Sequence, residues 1–455
     1  MNKLKKLITT FLLTALISTS SAQDGKESFE FTLQDAQKYA IENSYMSINA
    51  KKEVLKSEKK VDETIGTGLP QISATGNYQQ YIQTPLSLVP ANTFQIPGQA
   101  VDPNQPEFIE LFFGTEQQMG VGIRAEQLLF DGTFFVGLQA SKVYLEITKN
   151  DLKRSNIEVK QMVTVAYGNV LVAKRNSEIL KGNIDILEKS VFETNELYET
   201  GFIEEQDKDQ IQLTLANVKN SYENATRMIE ISKNQLKYIM GIDVESSIVL
   251  IDDLPTITTQ STSETYLSTD FDPSTHIDYQ IINTQQLATN LLLKQQRATN
   301  LPRVSAFYSF SSNAFSNEFD FFDQKRFYNG QSVGLNINAP IFSGFSRYNR
   351  IQQAKIDVDK IETSKKQVSQ QLILEAQNKK SQYTFAISQY QTTEDNMKLA
   401  QRIFDRTKIK YNEGISSSLD LTTANNQLLD SQSKFISAAF QLIQAKANLD
   451  KALNQ

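Results

Sequence analysis

The side chains that usually carry catalysis are scarce in this sequence. Its 455 residues include one histidine and no cysteine, which excludes a thiol nucleophile, a disulfide and a cysteine-ligated metal. His276 lies near the predicted start of a helix, beside Asp272 and Asp278, where a capping or exposed histidine is far more common than a metal ligand. We therefore expect neither an enzyme nor a bound metal or cofactor.

The other candidate for chemistry is the acidic stretch 204–209. It lacks the alternation and the glycine of a calcium-binding loop, so a solvated helix start is the simpler interpretation. The sequence has no glycine-rich phosphate loop. Its net charge is −6, and no basic face or tail indicates a nucleic-acid partner.

More informative residues occur twice. A tyrosine, a glycine three residues later and an aspartate six residues after the glycine recur 213 residues along the chain. The two sets are Tyr198, Gly201 and Asp207, and Tyr411, Gly414 and Asp420. Leu-Phe-Asp-Gly, ending at Gly132, recurs as Ile-Phe-Ser-Gly, ending at Gly344. We infer two copies of one structural unit, at 23–241 and 273–455, joined by an acidic linker or equatorial segment at 242–272.

The amino terminus has the pattern of a secretory signal peptide. Basic residues precede an apolar run at 7–17, and small residues follow it, so cleavage is predicted after Ala22. Without a cysteine the mature chain cannot carry a lipid-bearing amino-terminal cysteine. No later stretch is apolar enough for a spanning helix, so a membrane role would have to come from β-strands or a surface helix.

Four stretches alternate between apolar and polar residues with the period of a β-strand. They are 71–83, 118–129, 303–311 and 332–341. A transmembrane strand requires such alternation over about ten residues, with one face toward lipid and one toward a polar lumen. A half-buried soluble sheet gives the same pattern, but the signal peptide, the strand length and the aromatic residues at the strand ends favour the membrane. Arg124 and Glu126 fall on the polar, lumen-facing side.

The rest of the chain has heptad spacing, which predicts helices that pack side by side. The predicted long helices are 136–198 and 347–411, and the shorter ones are 32–64, 203–240, 273–300 and 416–453. The fold class is therefore mainly α, with internally duplicated coiled helices and a transmembrane β portion of four strands per chain.

Four strands cannot close a barrel, and an open edge in lipid leaves backbone groups unsatisfied. Two copies would give eight strands and a barrel filled by side chains, whereas three would give twelve strands and room for a water-filled lumen. A role as a conduit favours the trimer.

The order of elements, the Leu-Pro strand entries, the duplicated strand exits and the paired Tyr-x-x-Gly turns resemble the TolC-like outer-membrane efflux proteins, the outer membrane factors. The opening Phe31-Thr32-Leu33-Gln34-Asp35-Ala36 is similar to that family's amino-terminal signature, and the resemblance covers essentially the whole mature chain. It implies a homotrimer in the outer membrane of a Gram-negative bacterium, with a twelve-stranded barrel in lipid and an α-helical tunnel in the periplasm.

The resemblance also implies partners. A periplasmic adaptor (membrane fusion) protein docks on the helix tips, and an inner-membrane transporter of the RND, ABC or MFS type supplies the energy. The chain would then be a passive exit duct of a tripartite efflux or type I secretion system.

The resemblance assigns an entrance, or gate, to the helix tips. Asp420 matches the family's entrance aspartate, and Asp207 and Tyr411 match the pair that links the coil tips. Tyr198 is the counterpart of Tyr411 in the first copy. The alternative interpretation of both aspartates is that they cap the helices that follow.

Other tip residues follow or depart from the family pattern. Gly201 and Gly414 mark the tip turns, where the adaptor would dock, and left-handed turn geometry explains both glycines. The family's basic residue and its second acidic residue fall at Ser416 and Thr423, where this sequence has neither.

Two rival functions involve no duct. A structural or adhesive coiled-coil envelope protein usually has its barrel at one terminus, whereas here the predicted strands interrupt the helices twice. A periplasmic adaptor would carry one helical hairpin, and this chain has two.

Overall fold

The computed structural model describes residues 28–84, 86–94, 106–112, 114–262, 271–322 and 327–454. The predicted signal peptide 1–22 and its cleavage site lie outside the described residues. Most of the described chain is helical. No described helix combines the length and the apolar character that a membrane crossing requires.

The described residues of the first half of the chain form both strands and helices. They are β1 (Ser28–Phe31), α1 (Leu33–Asn43), α2 (Tyr45–Gly66), β2 (Gln71–Gln80), β3 (Leu86–Pro90), β4 (Phe108–Phe112), β5 (Gln117–Asp131), α3 (Gly132–Glu199) and α4 (Glu205–Met240). The second half follows. It contains β6 (Ser247–Leu250), α5 (Leu254–Ser261), α6 (Ile277–Ala298), β7 (Arg303–Ser316), β8 (Tyr328–Asn338), α7 (Ser346–Asn412) and α8 (Ser418–Ala452). Short 3-10 turns cover Ala91–Phe94 and Pro273–Thr275.

The predicted helices are present, with one difference. Helices α3 and α7 have 68 and 67 residues, so each is roughly 100 Å long. The helix predicted at 32–64 is two helices, because Ser44 has extended backbone (φ −62°, ψ 144°) and ends α1. The carbonyl oxygen of Asn43 faces Gly241, where an added Cβ would lie 2.3 Å from that oxygen. Glycine is therefore required where α4 ends against this break.

Four strands form one antiparallel sheet in the order β2-β5-β7-β8, which confirms the four predicted strands. The predicted alternation of β5 was wrong at its end. The register shifts between Leu128 and Phe130, so Leu129 is an extra residue without a partner in β7. Because a bulge moves the following side chains to the other face, Phe130 takes the position that was predicted for Leu129.

The expectation of four strands per chain was too low. Among the described residues, β3 and β4 form an antiparallel pair and β1 and β6 a parallel pair. These strands have four or five residues each, too few to show a period of two. Residues of the predicted segment 242–272 form β6 and α5. The boundaries predicted for the two repeats stay a prediction.

The chain divides into two compact units, and each takes described residues from several stretches. The first unit draws on 1–49, 154–272 and 372–455. In its core Tyr167 of α3 is fully buried, with its hydroxyl 3.0 Å from both the carbonyl oxygen of Phe31 and Oδ2 of Asp252. Burial raises the pKa of this phenol. The network fastens β1 to the segment that follows β6.

The predicted heptad seams are confirmed as core of the first unit. Their side chains are buried along α7 and α8. They include Tyr383, Phe404, Tyr411, Leu421, Leu428, Phe435, Leu442 and Leu449. The second unit draws on 50–153 and 273–371 and contains the four-stranded sheet.

Two interpretations of polar residues are confirmed. Nδ1 of His276 accepts a hydrogen bond from the backbone N–H of Asp278 at 3.2 Å, so the histidine caps α6. The acidic stretch 204–209 begins α4, with Glu204 at the N-cap position.

Candidate functional site

The two tip turns have the same backbone geometry. The first tip, 200–204, joins α3 to α4, and the second tip, 413–417, joins α7 to α8. Gly201 and Gly414 have φ angles of 76° and 72°, in the left-handed region. Each glycine N–H donates to the carbonyl of the tyrosine three residues earlier, at 3.0 Å in both tips. The Tyr-x-x-Gly spacing is therefore the spacing of a helix-ending turn that glycine adopts without strain.

The duplicated aspartates cap the helices that leave the tips. Oδ2 of Asp207 accepts from the backbone N–H of Glu204 at 3.4 Å. Oδ2 of Asp420 accepts from the backbone N–H of Ser417 at 3.0 Å and from the hydroxyls of Ser417 at 2.8 Å and Ser416 at 3.1 Å. Both carboxylates thus satisfy amide groups that the first helical turn leaves without a partner.

The hydrogen bonds lower the pKa of Asp420. The largest cause is the backbone N–H of Ser417, followed by the hydroxyls of Ser417 and Ser416. Ser416, where the sequence departs from the family pattern, therefore supports the negative charge of Asp420. The carboxylate is exposed and ionised at neutral pH.

Polar contacts also join α3 and α4 to α7 and α8. Oδ1 of Asp207 accepts a hydrogen bond from the hydroxyl of Ser418, and the hydroxyls of Thr194 and Tyr411 are 3.4 Å apart in a buried position. Within one chain, Asp207 thus contacts Ser418, and Tyr411 contacts Thr194.

The tyrosines and the exposed residues distinguish the tips. Tyr411 is buried, whereas Tyr198 is 37% exposed and has the ammonium of Lys208 4.6 Å from its ring centroid. Phe202 and Ile415, which follow the two turn glycines, are 80% and 71% exposed. Our sequence prediction did not include these two residues, although an apolar residue directly after both glycines was the available signal.

The tips also differ in charge. Residues 193–209 carry seven carboxylates and one lysine, while residues 402–420 carry three carboxylates and four basic side chains. The region around the first tip is therefore strongly acidic, and the region around the second tip is nearly balanced.

Arg124 and Glu126 lie together on the polar face of the sheet. Nε of Arg124 is 3.5 Å from Oε2 of Glu126, and the guanidinium lies 4.5 Å from the ring centroid of Phe307. The register places Phe307 opposite Glu126, on the same face. This aromatic residue on a polar face was not predicted.

The opposite face of the sheet is apolar and uncovered. Ile72 and Val333 are 74% and 82% exposed, and Leu335 and Ile337 are also exposed. In the described sheet β2 and β8 are edge strands, each paired on one side only. Aromatic side chains cluster at the strand ends, with Tyr78, Phe319 and Phe321 in mutual ring contact.

Comparisons with known proteins show what this chain is similar to. Residues 285–455 match the family model described as outer membrane efflux protein. This carboxy-terminal stretch is similar to outer membrane efflux proteins. The resemblance predicted from the tip and strand motifs is thereby confirmed. No curated protein matches the sequence.

Solved structures with the same fold extend the likeness beyond this domain. The outer membrane protein VceC of Vibrio cholerae is 13% identical, with 93% of this chain and 96% of that chain covered and a TM-score of 0.66. The Campylobacter jejuni CmeC outer membrane channel is 16% identical, with 93% and 85% covered and a TM-score of 0.67. The open MtrE outer membrane channel of Neisseria gonorrhoeae is 15% identical, with 93% and 88% covered and a TM-score of 0.64. At such identities the likeness establishes the fold.

Proposed function

We propose that this chain is the outer-membrane subunit of a tripartite efflux or type I secretion system, and that three copies close into a passive exit duct. The observation that carries the proposal is the sheet β2-β5-β7-β8, which has one exposed apolar face, one polar face and two edges. The match of residues 285–455 to the outer membrane efflux protein model supports the same role.

Closure follows from the edges. The outer edges of β2 and β8 carry backbone groups that must be paired in lipid. Pairing β2 of one copy with β8 of the next satisfies them without any change inside the chain. Three copies give about twelve strands, enough for a water-filled lumen lined by the polar face, with the apolar face in contact with outer-membrane lipid.

The helices supply the rest of the duct. A helix of roughly 100 Å is far longer than the ~30 Å hydrocarbon core of a bilayer. Long helices such as α3 and α7 therefore extend into the periplasm.

The tips are the periplasmic entrance. Gly201 and Gly414 turn the chain so that Phe202 and Ile415 project, which offers apolar contacts to a periplasmic adaptor that connects the duct to an RND, ABC or MFS transporter. A ring of three Asp420 carboxylates favours cations at a narrow mouth. The substrate passes without chemical change, and the transporter supplies the energy.

The test combines two measurements on the mature protein extracted in mild detergent. The proposal predicts the mass of a trimer and discrete, cation-selective conductance in planar bilayers, raised when Asp420→Ala removes the carboxylate ring. A protein that stays monomeric and soluble without detergent, and that conducts no ions, would support the coiled-coil envelope alternative instead.

A further inference from the structure

The polar face of the sheet is uneven. The strand register places one residue of each strand at a common level. Three successive levels are Gln71, Glu126, Phe307 and Gly334; Ser73, Arg124, Ser309 and Ser332; and Thr75, Gly122, Ser311 and Gly330. The third level has only glycines and small hydroxyl residues. Among these three levels, the large and charged side chains lie in the first two.

The ring of Phe307 packs between two neighbouring residues on this face. A Cβ added to Gly334 would lie 2.8 Å from Cζ of the Phe307 ring, so the ring occupies the space above that glycine. The guanidinium of Arg124 lies 4.5 Å from the ring centroid. A glycine on one side and a cation on the other explain how an apolar ring is held on a polar face.

Glu126 completes the group. Its carboxylate is 3.5 Å from Nε of Arg124, and the two side chains remain 37% and 43% exposed. The carboxylate balances the charge and holds the guanidinium plane beside the ring. Because the Arg124 side chain is partly exposed, its other guanidinium N–H groups can donate hydrogen bonds to a solute.

We propose that Arg124, Glu126 and Phe307 form a solute-contact belt that retards planar aromatic anions as they pass the strand section. The inference rests on the proposed function, because the polar face must line a lumen. A guanidinium stacks on aromatic planes and donates paired hydrogen bonds to acidic oxygens. A solute that combines both groups therefore gains two contacts at the belt.

Simple ions gain less. An anion without a ring gains only the hydrogen bonds of the guanidinium, and an aromatic cation gains only the stacking contact. The belt thus differs in preference from Asp420 at the tips, which favours cations. Its selectivity is for ring and charge together.

The probe is 1-naphthalenesulfonate, with methanesulfonate as the matched anion that lacks a ring. Both are added to channels that carry Asp420→Ala, so that the tip carboxylates do not limit entry, and the fall in single-channel current is measured against concentration. We expect half-block by the aromatic probe at a concentration about tenfold lower than by methanesulfonate, which corresponds to about 1.4 kcal/mol.

The variants separate the two contacts. Arg124→Gln should abolish the tenfold difference, and Arg124→Lys, which keeps the charge but loses the plane, should remove most of it. Phe307→Ser should weaken the aromatic block, whereas Phe315→Ser should not. Phe315 lies on the same face but pairs with the ring of Tyr328 at 6.3 Å.

Each outcome has one meaning. Selective block that is lost in Arg124→Gln and Phe307→Ser supports the belt. Conducting channels that both anions block equally, or whose block is unchanged in Arg124→Gln, overturn the belt and leave the proposed function intact. Absence of conductance in every variant overturns the proposed function, and the belt with it.

Discussion

The first and second tips are copies of one turn whose side chains have different surroundings. Their glycines share the left-handed conformation and the same hydrogen bond to a tyrosine carbonyl. Tyr411, however, is packed in the coil against Thr194, while Tyr198 stands at the surface beside Lys208.

The carboxylates differ as well. Among the described residues, Asp420 accepts hydrogen bonds from Ser416 and Ser417 of its own turn, whereas Asp207 also accepts one from Ser418 of α8. The spacing of the motif therefore specifies the backbone turn and the helix cap. What each side chain does depends on which helices pack around it.

The largest expected difference is between the tyrosines. Tyr411→Ala removes a buried ring and should cost the local structure about 3 kcal/mol or more, while Tyr198→Ala should cost less than about 1 kcal/mol. Hydrogen exchange would measure this loss of local stability. Amides near residue 404 should open roughly a hundredfold more often in Tyr411→Ala than in the unchanged protein. Equal exchange in the two variants would contradict the difference in packing.

Loss of the hydrogen bond between Ser418 and Asp207 should have a smaller effect on stability than loss of the Tyr411 ring. Ser418→Ala removes the contact between the tips and Asp207→Asn weakens it by removing the charge of the acceptor, and their effects should be non-additive by up to about 1 kcal/mol. A double-mutant cycle measures this coupling from the hydrogen-exchange rates of the amides at the tips. Ser416→Ala, which removes the hydroxyl that donates to Asp420, is the matched control, and its effect should add independently to that of Asp207→Asn.

The turn glycines should behave alike. Gly201→Ala and Gly414→Ala meet no atom within 4 Å, so each should cost only the strain of the left-handed backbone, about 1 kcal/mol. Gly182→Ala, in the interior of α3 and equally unobstructed, should instead stabilise by up to about 1 kcal/mol. Thermal unfolding of the three detergent-extracted variants compares them, and unequal losses at the two tips would show that their turns are not equivalent.

The smallest expected effect is that of pH on Asp420. Its pKa is lowered, so its capping contribution and its charge are present above the ordinary pKa of about 3.9 and are lost as the pH falls through the lowered value. Cation selectivity should therefore be constant from about pH 7 to 5 and decline only below about 4. Reversal potentials measure it, with Asp420→Asn as a variant that should show no such decline. A decline already between pH 7 and 5 would mean that another group sets the selectivity.

Much of the fold was predictable because long elements carry many periods. The ends of α3 and α7 lie within a few residues of their predicted limits, and the four sheet strands were identified from alternation alone. The short pairs β1/β6 and β3/β4 were not predicted, since four or five residues hold no usable period. The bulge at Leu129 was also not predicted, because a local extra residue interrupts alternation without changing composition.

The site was predictable in position and less so in detail. The duplicated motif identified both turns and both caps. That Tyr411 is buried while Tyr198 is exposed depends on long-range packing, which the motif does not contain. Phe307 was not predicted because its place on the polar face depends on Gly334 of the neighbouring strand and on Arg124.

The most direct test of the account is whether β2 and β8 pair between copies. The chain has no cysteine, so Thr75→Cys on β2 and Ser332→Cys on β8 introduce the only thiols. Within one chain β5 and β7 separate these strands by about 14 Å, too far for a disulfide. Oxidation, or a short bifunctional maleimide, applied to the double variant in membranes should give covalent dimers and trimers, while each single variant gives neither. Monomers alone from this pair and from Thr75→Cys combined with Gly330→Cys or Asn336→Cys, with thiols that still react with a simple maleimide, would contradict closure of the sheet by neighbouring copies.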